Sequence, residues 1–253
     1  MKDTVFYVGG GKGGVGKSML SLALVQFLID RYGDEKSIHV IETDDSNPDV
    51  GRVYKDKIPV TAAILDEEEK GWILAADTIE RSRDTLFVIN SAARSMMGIR
   101  KNGGNFSAIL ESGVLDYDFV TLWPMNRQKD SVWLLEDYLR YVTFGKVFPV
   151  RNLYFGETDD FALYIRYLGE TESLRTRITK ALDFPALADV IADDFYTGGK
   201  TIPETVNGLG AFAGQSFSSW RNRVYEMFEE TGLFSDFPDE PVHEEGREEQ
   251  WQA

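Results

Sequence analysis

The chain has 253 residues, enough for one or two domains with a large buried core, and its 43% hydrophobic and 13% aromatic content excludes a disordered composition. Lysine plus arginine total 27 against 42 aspartate plus glutamate, a net charge of −15 that opposes any global attraction to nucleic-acid phosphates or anionic lipid. With no cysteine there is no disulfide framework, thiolate metal centre or cysteine nucleophile, and two separated histidines argue against a histidine zinc site.

The first 45 residues read as strand, loop, helix, strand. Thr4 to Val8 is a short β-branched and aromatic run, glycines follow, and Lys17 to about Arg31 is patterned as a helix that is apolar on nearly every side. Such a helix belongs between a sheet and other elements. Ser37 to Ile41 is the next strand, completing a βαβ unit whose strands are expected to be parallel with a right-handed crossover. Further strands are expected at Thr85–Ile89, Asp118–Leu122 and Lys146–Val150, separated by helical segments such as Ser131 to Val142. The alternation sets the class as α/β, with a mostly parallel sheet flanked by helices. Beyond about residue 155 the pattern turns helical, over Asp159–Leu168, Thr171–Leu182, Pro185–Phe195 and Ala211–Glu230. These late helices are expected to cover the sheet, giving one nucleotide-binding domain over 1–235. Residues 236–253 hold seven acidic residues against one arginine, with Pro238 and Pro241, and are expected to form a solvated, flexible tail. No apolar run approaches 18 residues and the N-terminus lacks a signal-type apolar core, so a cytoplasmic protein outside the membrane is expected.

The strongest motif runs from Gly9 to Ser18, Gly-Gly-Gly-Lys-Gly-Gly-Val-Gly-Lys-Ser, and contains G-x-x-x-x-G-K-S between the first strand and the first helix. That is the setting of a P-loop. Glycines let successive backbone N–H groups curl around phosphate oxygens, and the helix opening at Lys17 adds free N–H groups and a positive dipole end. Gly11, Lys12, Gly13, Gly14, Val15, Gly16, Lys17, Ser18 and Met19 are therefore the candidate nucleotide contacts. Lys17 would reach the β- and γ-phosphates, and the Ser18 hydroxyl would bind Mg²⁺.

Lys12, ahead of the last glycines, makes the box resemble the deviant Walker A motif of the ParA/MinD branch of P-loop ATPases. In that family two subunits sandwich two ATP molecules, and the additional lysine crosses to the partner's nucleotide. The resemblance implies ATP and Mg²⁺ as ligands, a nucleotide-dependent homodimer, and catalytic roles for Lys12 and Lys17. It extends over about residues 4–155. Glu42-Thr43-Asp44-Asp45-Ser46-Asn47-Pro48, just after the second strand, resembles the family's Asp-x-Asp switch segment. Glu42 replaces the first aspartate, and Asp44 falls where the family positions the attacking water and supports the metal. The same residues also suit a helix N-cap at Asp45, Ser46 or Asn47. Asn90, ending the third strand, stands where the Walker B aspartate normally holds the metal through water. An amide there orients water without supplying charge, which favours binding over fast hydrolysis. Asp130-Ser131 resembles the family's Asp-Ser helix start and equally suits an N-cap. Asn152 matches the asparagine that hydrogen-bonds adenine in relatives, and the Asn126–Asp130 segment has the wrong spacing for guanine's Asn-Lys-x-Asp.

Relatives of this kind bind DNA, hold membranes through a basic amphipathic helix, or recruit a protein. The acidic tail excludes the membrane helix. Direct DNA binding would have to use scattered residues such as Arg166, Arg175, Arg177, Lys180, Arg221 and Arg223, which read as solvated helix faces. A protein partner is favoured. Ser18-Met19 and Trp123–Ser131 are similar to relatives encoded with plasmid mobilisation and conjugal-transfer genes. The expected function is thus an ATP-dependent dimerisation switch with slow hydrolysis. A non-hydrolysing scaffold is the alternative, and a small-molecule phosphotransferase comes after it.

Overall fold

The structure is a computed structural model describing residues 1–234, so the acidic segment 236–253 lies outside the described residues. The elements run β1 (Thr4–Val8), α1 (Lys17–Tyr32), β2 (Ser37–Glu42), α2 (Asp49–Tyr54), β3 (Val60–Ala62), α3 (Glu69–Glu80), β4 (Thr85–Asn90), α4 (Met96–Glu111), β5 (Asp118–Met125), α5 (Lys129–Tyr141) and β6 (Lys146–Asn152). Two 3₁₀ turns follow, and then α6 (Ala162–Glu170), α7 (Glu172–Arg177), β7 (Leu182–Phe184), α8 (Asp189–Gly198), α9 (Ile202–Gly208) and α10 (Ala211–Glu229).

The seven strands form a single parallel sheet in the order β3-β2-β4-β1-β5-β6-β7. β1 and β2 are parallel, as the βαβ reading expects, but β4 lies between them and pairs with both. Alternate side chains of β1 enter opposite cores. Phe6 and Val8 pack with α1, α2 and the helices from α8 onward, whereas Val5 and Tyr7 pack with α3 to α7. A sheet buried on both faces needs continuous apolar strands, and β1 and β4 are buried at every position. The all-round apolar α1 is wedged as expected. Its Phe27 ring meets Tyr225 and Phe228 of α10 at 5.0 and 5.2 Å.

The late half departs from a purely helical reading. The helix expected over Thr171–Leu182 stops at Arg177, and residues 182–184 instead add β7 to the sheet edge beside β6. Leu182 and Phe184 point into the core, while Asp183 turns the other way and receives two hydrogen bonds from Arg151 (2.7 and 2.9 Å). That is the two-residue period of a strand. Pro185 disfavours helix at the residue before it, and the helix expected from Pro185 begins only at Asp189.

Candidate functional site

The motif residues gather at the carboxyl end of the sheet, where the chain leaves β1 through α1 toward β2 on one side and leaves β4 through α4 toward β5 on the other. Open α/β sheets place ligands in that crevice. Gly9 follows β1 directly, donates to the Leu122 carbonyl at 3.0 Å, and lies so close to the Tyr7 ring that any Cβ would collide with it. Gly14 and Gly16 then take left-handed conformations with φ of 73° and 100°. A Cβ at Gly14 would meet nothing within 4 Å, and one at Gly13 only the Ala93 methyl at 3.9 Å. The loop is therefore open above residues 13–14, as a phosphate cradle requires. α1 starts at Lys17 with no side-chain cap on its N-terminus, leaving the N–H groups of its first turn to a ligand.

Lys17 is buried, and its Nζ donates to the Lys12 carbonyl at 2.9 Å, within the loop itself. Burial pulls its pKa down to about 8, with the nearby Asp44 carboxylate opposing the shift. A desolvated ammonium beside an open cradle is well matched to a polyphosphate. Lys12 turns toward the start of α5, where its Nζ reaches Gln128 Oε1 and lies 3.4 Å from Asp130 Oδ2. Asp130 sits in the first turn of α5 and Gln128 at its cap position, so Asp130 is not the N-cap.

β2 and β4 deliver the carboxylate side of the site. Asp44 Oδ1 accepts from the N–H groups of Ser46 (3.1 Å) and Asn47 (2.9 Å), which holds the loop ahead of α2 in a tight turn. The short helix anticipated there exists, capped at Pro48 rather than at Asp45, Ser46 or Asn47. Glu42 is buried and accepts from the backbone N–H groups of Thr43, Asp44 and Gly51 and from Asn90 Nδ2. Burial raises its pKa, and those hydrogen bonds partly reverse the rise. Asn90 is also buried, with Nδ2 on Glu42 and Oδ1 accepting from Ser21, so protein groups take both ends of its amide. Thr43, which the motifs did not single out, donates to the Asn90 carbonyl (3.0 Å) and accepts from the Ala92 N–H (2.8 Å), stitching the two strand ends together.

Asn152 stands at the end of β6, with Nδ2 donating to the Val15 carbonyl (3.1 Å) and Oδ1 accepting from the Tyr154 N–H (3.1 Å). It braces the glycine loop, and its amide lies directly against Gly16. Beyond it opens a cavity of about 280 Å³ whose floor is Gly14, Gly16 and Met19 and whose walls include Tyr154, Phe184, Pro185 and Leu187. An apolar, aromatic slot beside a phosphate cradle suits a nucleotide base. Its Phe184–Leu187 wall comes from β7 and the loop after it, a feature hidden behind the expected helices.

The residues fit a nucleotide on this geometry. Ser18 and Asp44 would be the protein groups offered to an accompanying Mg²⁺, which in P-loop sites draws most of its ligands from phosphate and water, whereas Asn90, also expected near the metal, has both ends of its amide bonded to Glu42 and Ser21. Among the described residues no group of three acidic, histidine or cysteine side chains converges to hold a metal by itself.

A parallel sheet with a glycine loop between its central strand and a buried helix defines a P-loop α/β protein. No family model matches the sequence. The protein MobD of Acidithiobacillus ferrooxidans is 34% identical over 233 residues, which cover 90% of this chain and 98% of that protein. The chain belongs to the MobD family. Among solved structures it is similar to a plasmid partition protein from Borrelia burgdorferi (12% identity, TM-score 0.47, 91% of this chain and 99% of that one). It is also similar to the MinD cell division protein of Aquifex aeolicus (16%, 0.43, 88% and 97%) and to a substituted Cyanothece McdA in complex with ATP (13%, 0.42, 88% and 96%).

Proposed function

We propose that this chain binds ATP with Mg²⁺ at the Gly9–Ser18 loop, forms a homodimer when loaded, hydrolyses ATP slowly, and acts through a protein partner in plasmid DNA partition, mobilisation or conjugal transfer. The observation that carries the proposal is the open loop at residues 13–14 beside the buried Lys17 ammonium, an arrangement of free backbone space and positive charge that suits a phosphate chain. Lys17 and the first-turn N–H groups hold the phosphates. Ser18 and Asp44 would hold the metal, Asn152 braces the loop, and Met19 and the Phe184–Leu187 wall would enclose the base. Bound Mg²⁺ would neutralise phosphate charge and polarise the terminal phosphoryl group.

The dimer, the role of Lys12 in trans and the plasmid setting rest on the Walker A resemblance, on Ser18-Met19 and Trp123–Ser131, and on membership of the MobD family. A protein partner is preferred to DNA because several cations of the late half are tied down within the fold. Arg175 bonds the Gly169 carbonyl, Arg177 the Thr143 and Val142 carbonyls, and Lys180 pairs with Glu230 at 2.7 Å. No helix among the described residues is long and apolar enough to cross a membrane.

Calorimetric titration with ATP and Mg²⁺ tests the site. The wild type is expected to bind, and Lys17→Ala to weaken binding about a hundredfold, in line with the loss of one charge-assisted contact to phosphate. Equal affinity in the two proteins would refute it. Phosphate release above background, lost in Lys17→Ala, would separate a slow ATPase from a non-hydrolysing scaffold.

A further inference from the structure

We propose that Arg94 is a catalytic residue for ATP hydrolysis, supplied by the same chain that holds the nucleotide, and that its guanidinium binds the terminal phosphoryl group as it passes to water. The inference deepens the proposed function and rests on it.

Two cavities flank the glycine loop. The aromatic slot lies on the side of Gly14, Gly16 and Met19. On the other side opens a cavity of about 450 Å³ whose lining includes Thr43, Asp44, Asp45, Asp66, Ala93 and Arg94. Ala93 joins this second cavity to the loop, its methyl lying 3.9 Å from where a Cβ of Gly13 would stand. A triphosphate with its base in the slot would cross Gly16 and Gly14 and end at Gly13. Its γ-phosphate would then face the second cavity, beside Asp44 and one residue from Arg94.

Arg94 is the one cation in the lining of that cavity, against the carboxylates of Asp44, Asp45 and Asp66. It is exposed, and among the described residues it forms no hydrogen bond or ion pair. The backbone beneath it is fixed. Ser91 N–H donates to the Val8 carbonyl (3.1 Å), Ala92 N–H to Thr43 Oγ1 (2.8 Å) and Ser95 N–H to the Ala92 carbonyl (3.2 Å). Under this turn the buried hydroxyls of Ser91 and Ser95 meet at 3.2 Å, and the Tyr7 hydroxyl donates to Ser95 Oγ at 3.3 Å. A guanidinium with its donors unspent, on an anchored turn, can close on an anion without giving up another contact.

Hydrolysis gives that cation a task. The water oxygen bonds to the γ-phosphorus while the bond to the β–γ bridging oxygen breaks, its electron pair leaving with ADP. One water proton stays on the released phosphate and the other passes to solvent. In the transition state charge spreads over the equatorial oxygens of the transferring group, where a planar, two-pronged donor is most effective. The neighbouring groups leave this place to Arg94. Lys17 bonds within the loop, Lys12 is turned toward α5, and the uncharged Asn90 amide is held by Glu42 and Ser21.

The test compares wild type, Arg94→Ala and Arg94→Lys by calorimetry with Mg²⁺ and ATP, ADP, or ADP plus aluminium fluoride, which mimics the transferring phosphoryl group. Phosphate release and thermal midpoints are read on the same proteins. The wild type should bind ADP more tightly with the fluoride than without. Arg94→Ala should keep its thermal midpoint and, to within about twofold, its ADP affinity, yet lose about tenfold or more of the fluoride-dependent gain and release phosphate about a hundredfold more slowly. Arg94→Lys should fall between the two, having the charge without the fork. An Arg94→Ala protein that keeps either the full gain or the wild-type rate would overturn the inference. So would one that loses ADP affinity as much as affinity for the fluoride complex, which would make Arg94 an ordinary phosphate contact. A wild type that binds ADP but gains nothing from the fluoride, or releases no phosphate, also contradicts it and leaves nucleotide binding standing. If the wild type binds neither ADP nor ATP, the proposed function itself fails and the inference falls with it.

Discussion

Lys17 has its pKa drawn down to about 8 because its ammonium is buried within the glycine loop. Phosphate oxygens favour the charged form and restore the pKa toward the ordinary lysine value. Between those two values the free site has released its proton and the loaded site keeps it. ATP binding should therefore take up protons above pH 8, and affinity should fall by roughly tenfold per unit once pH passes that value. Calorimetry at about pH 8.5 in two buffers of different ionisation enthalpy measures the uptake, which Lys17→Ala should abolish. The sign for the unliganded fold follows from the same shift. The cost of the buried charge is full below pH 8 and eases as pH rises above it. Gly16 makes a second test at this scale, because its φ of 100° and the amide of Asn152 leave no room for a methyl group. Gly16→Ala should destabilise the protein by about 1–3 kcal/mol, read from chemical denaturation, and more than Gly14→Ala, whose Cβ meets no protein atom within 4 Å and would instead intrude on the proposed phosphate space. The glycine loop, Lys12, Lys17 and Ser18 were all legible in the sequence because a phosphate cradle constrains a contiguous stretch. Asn90 was legible only as a missing charge. That Glu42 faces it across two strands depends on pairing between segments 48 residues apart, which no local pattern records.

Among the elements, strands β1, β4, β5 and β6 were readable as unbroken apolar runs, a consequence of burial on both faces. β3 and β7 were not, being only three residues long, too short for an alternation to stand out from the neighbouring helical pattern. β7 matters most for the site, since it carries the wall of the base cavity. Phe184 packs edge-on against Trp220 at 5.9 Å and is buried. Phe184→Ala should cost about 3–5 kcal/mol in unfolding free energy and also reduce nucleotide affinity, whereas a similar cavity made far from the site, at Phe106, should affect stability alone. Equal loss of affinity in the two variants would argue against a base seated on β7. The start of α5 is the other element whose meaning emerged only in three dimensions. Asp130 read as a helix start, and the fold brings it and Gln128 to Lys12 across 118 and 116 residues of chain.

For the whole molecule, the net charge of −15 bears on assembly more than on ATP, which meets the concentrated cations of the loop. Two copies approaching each other do so against like charge. Dimerisation should accordingly strengthen between about 20 and 150 mM salt, as the Debye length shortens to about 8 Å, a trend that sedimentation at the two ionic strengths would reveal. Lys12 links the local site to the assembly. In the single chain it rests on Gln128 and Asp130, and in the proposed dimer it leaves them for the other copy's nucleotide. Sedimentation velocity of wild type and Lys12→Ala, each with and without ATP and Mg²⁺, tests that step most directly. The wild type should pass from monomer to dimer only with nucleotide, and Lys12→Ala should bind ATP yet remain monomeric. A wild type that stays monomeric with ATP bound, or a Lys12→Ala protein that dimerises as wild type does, would contradict a nucleotide-driven switch.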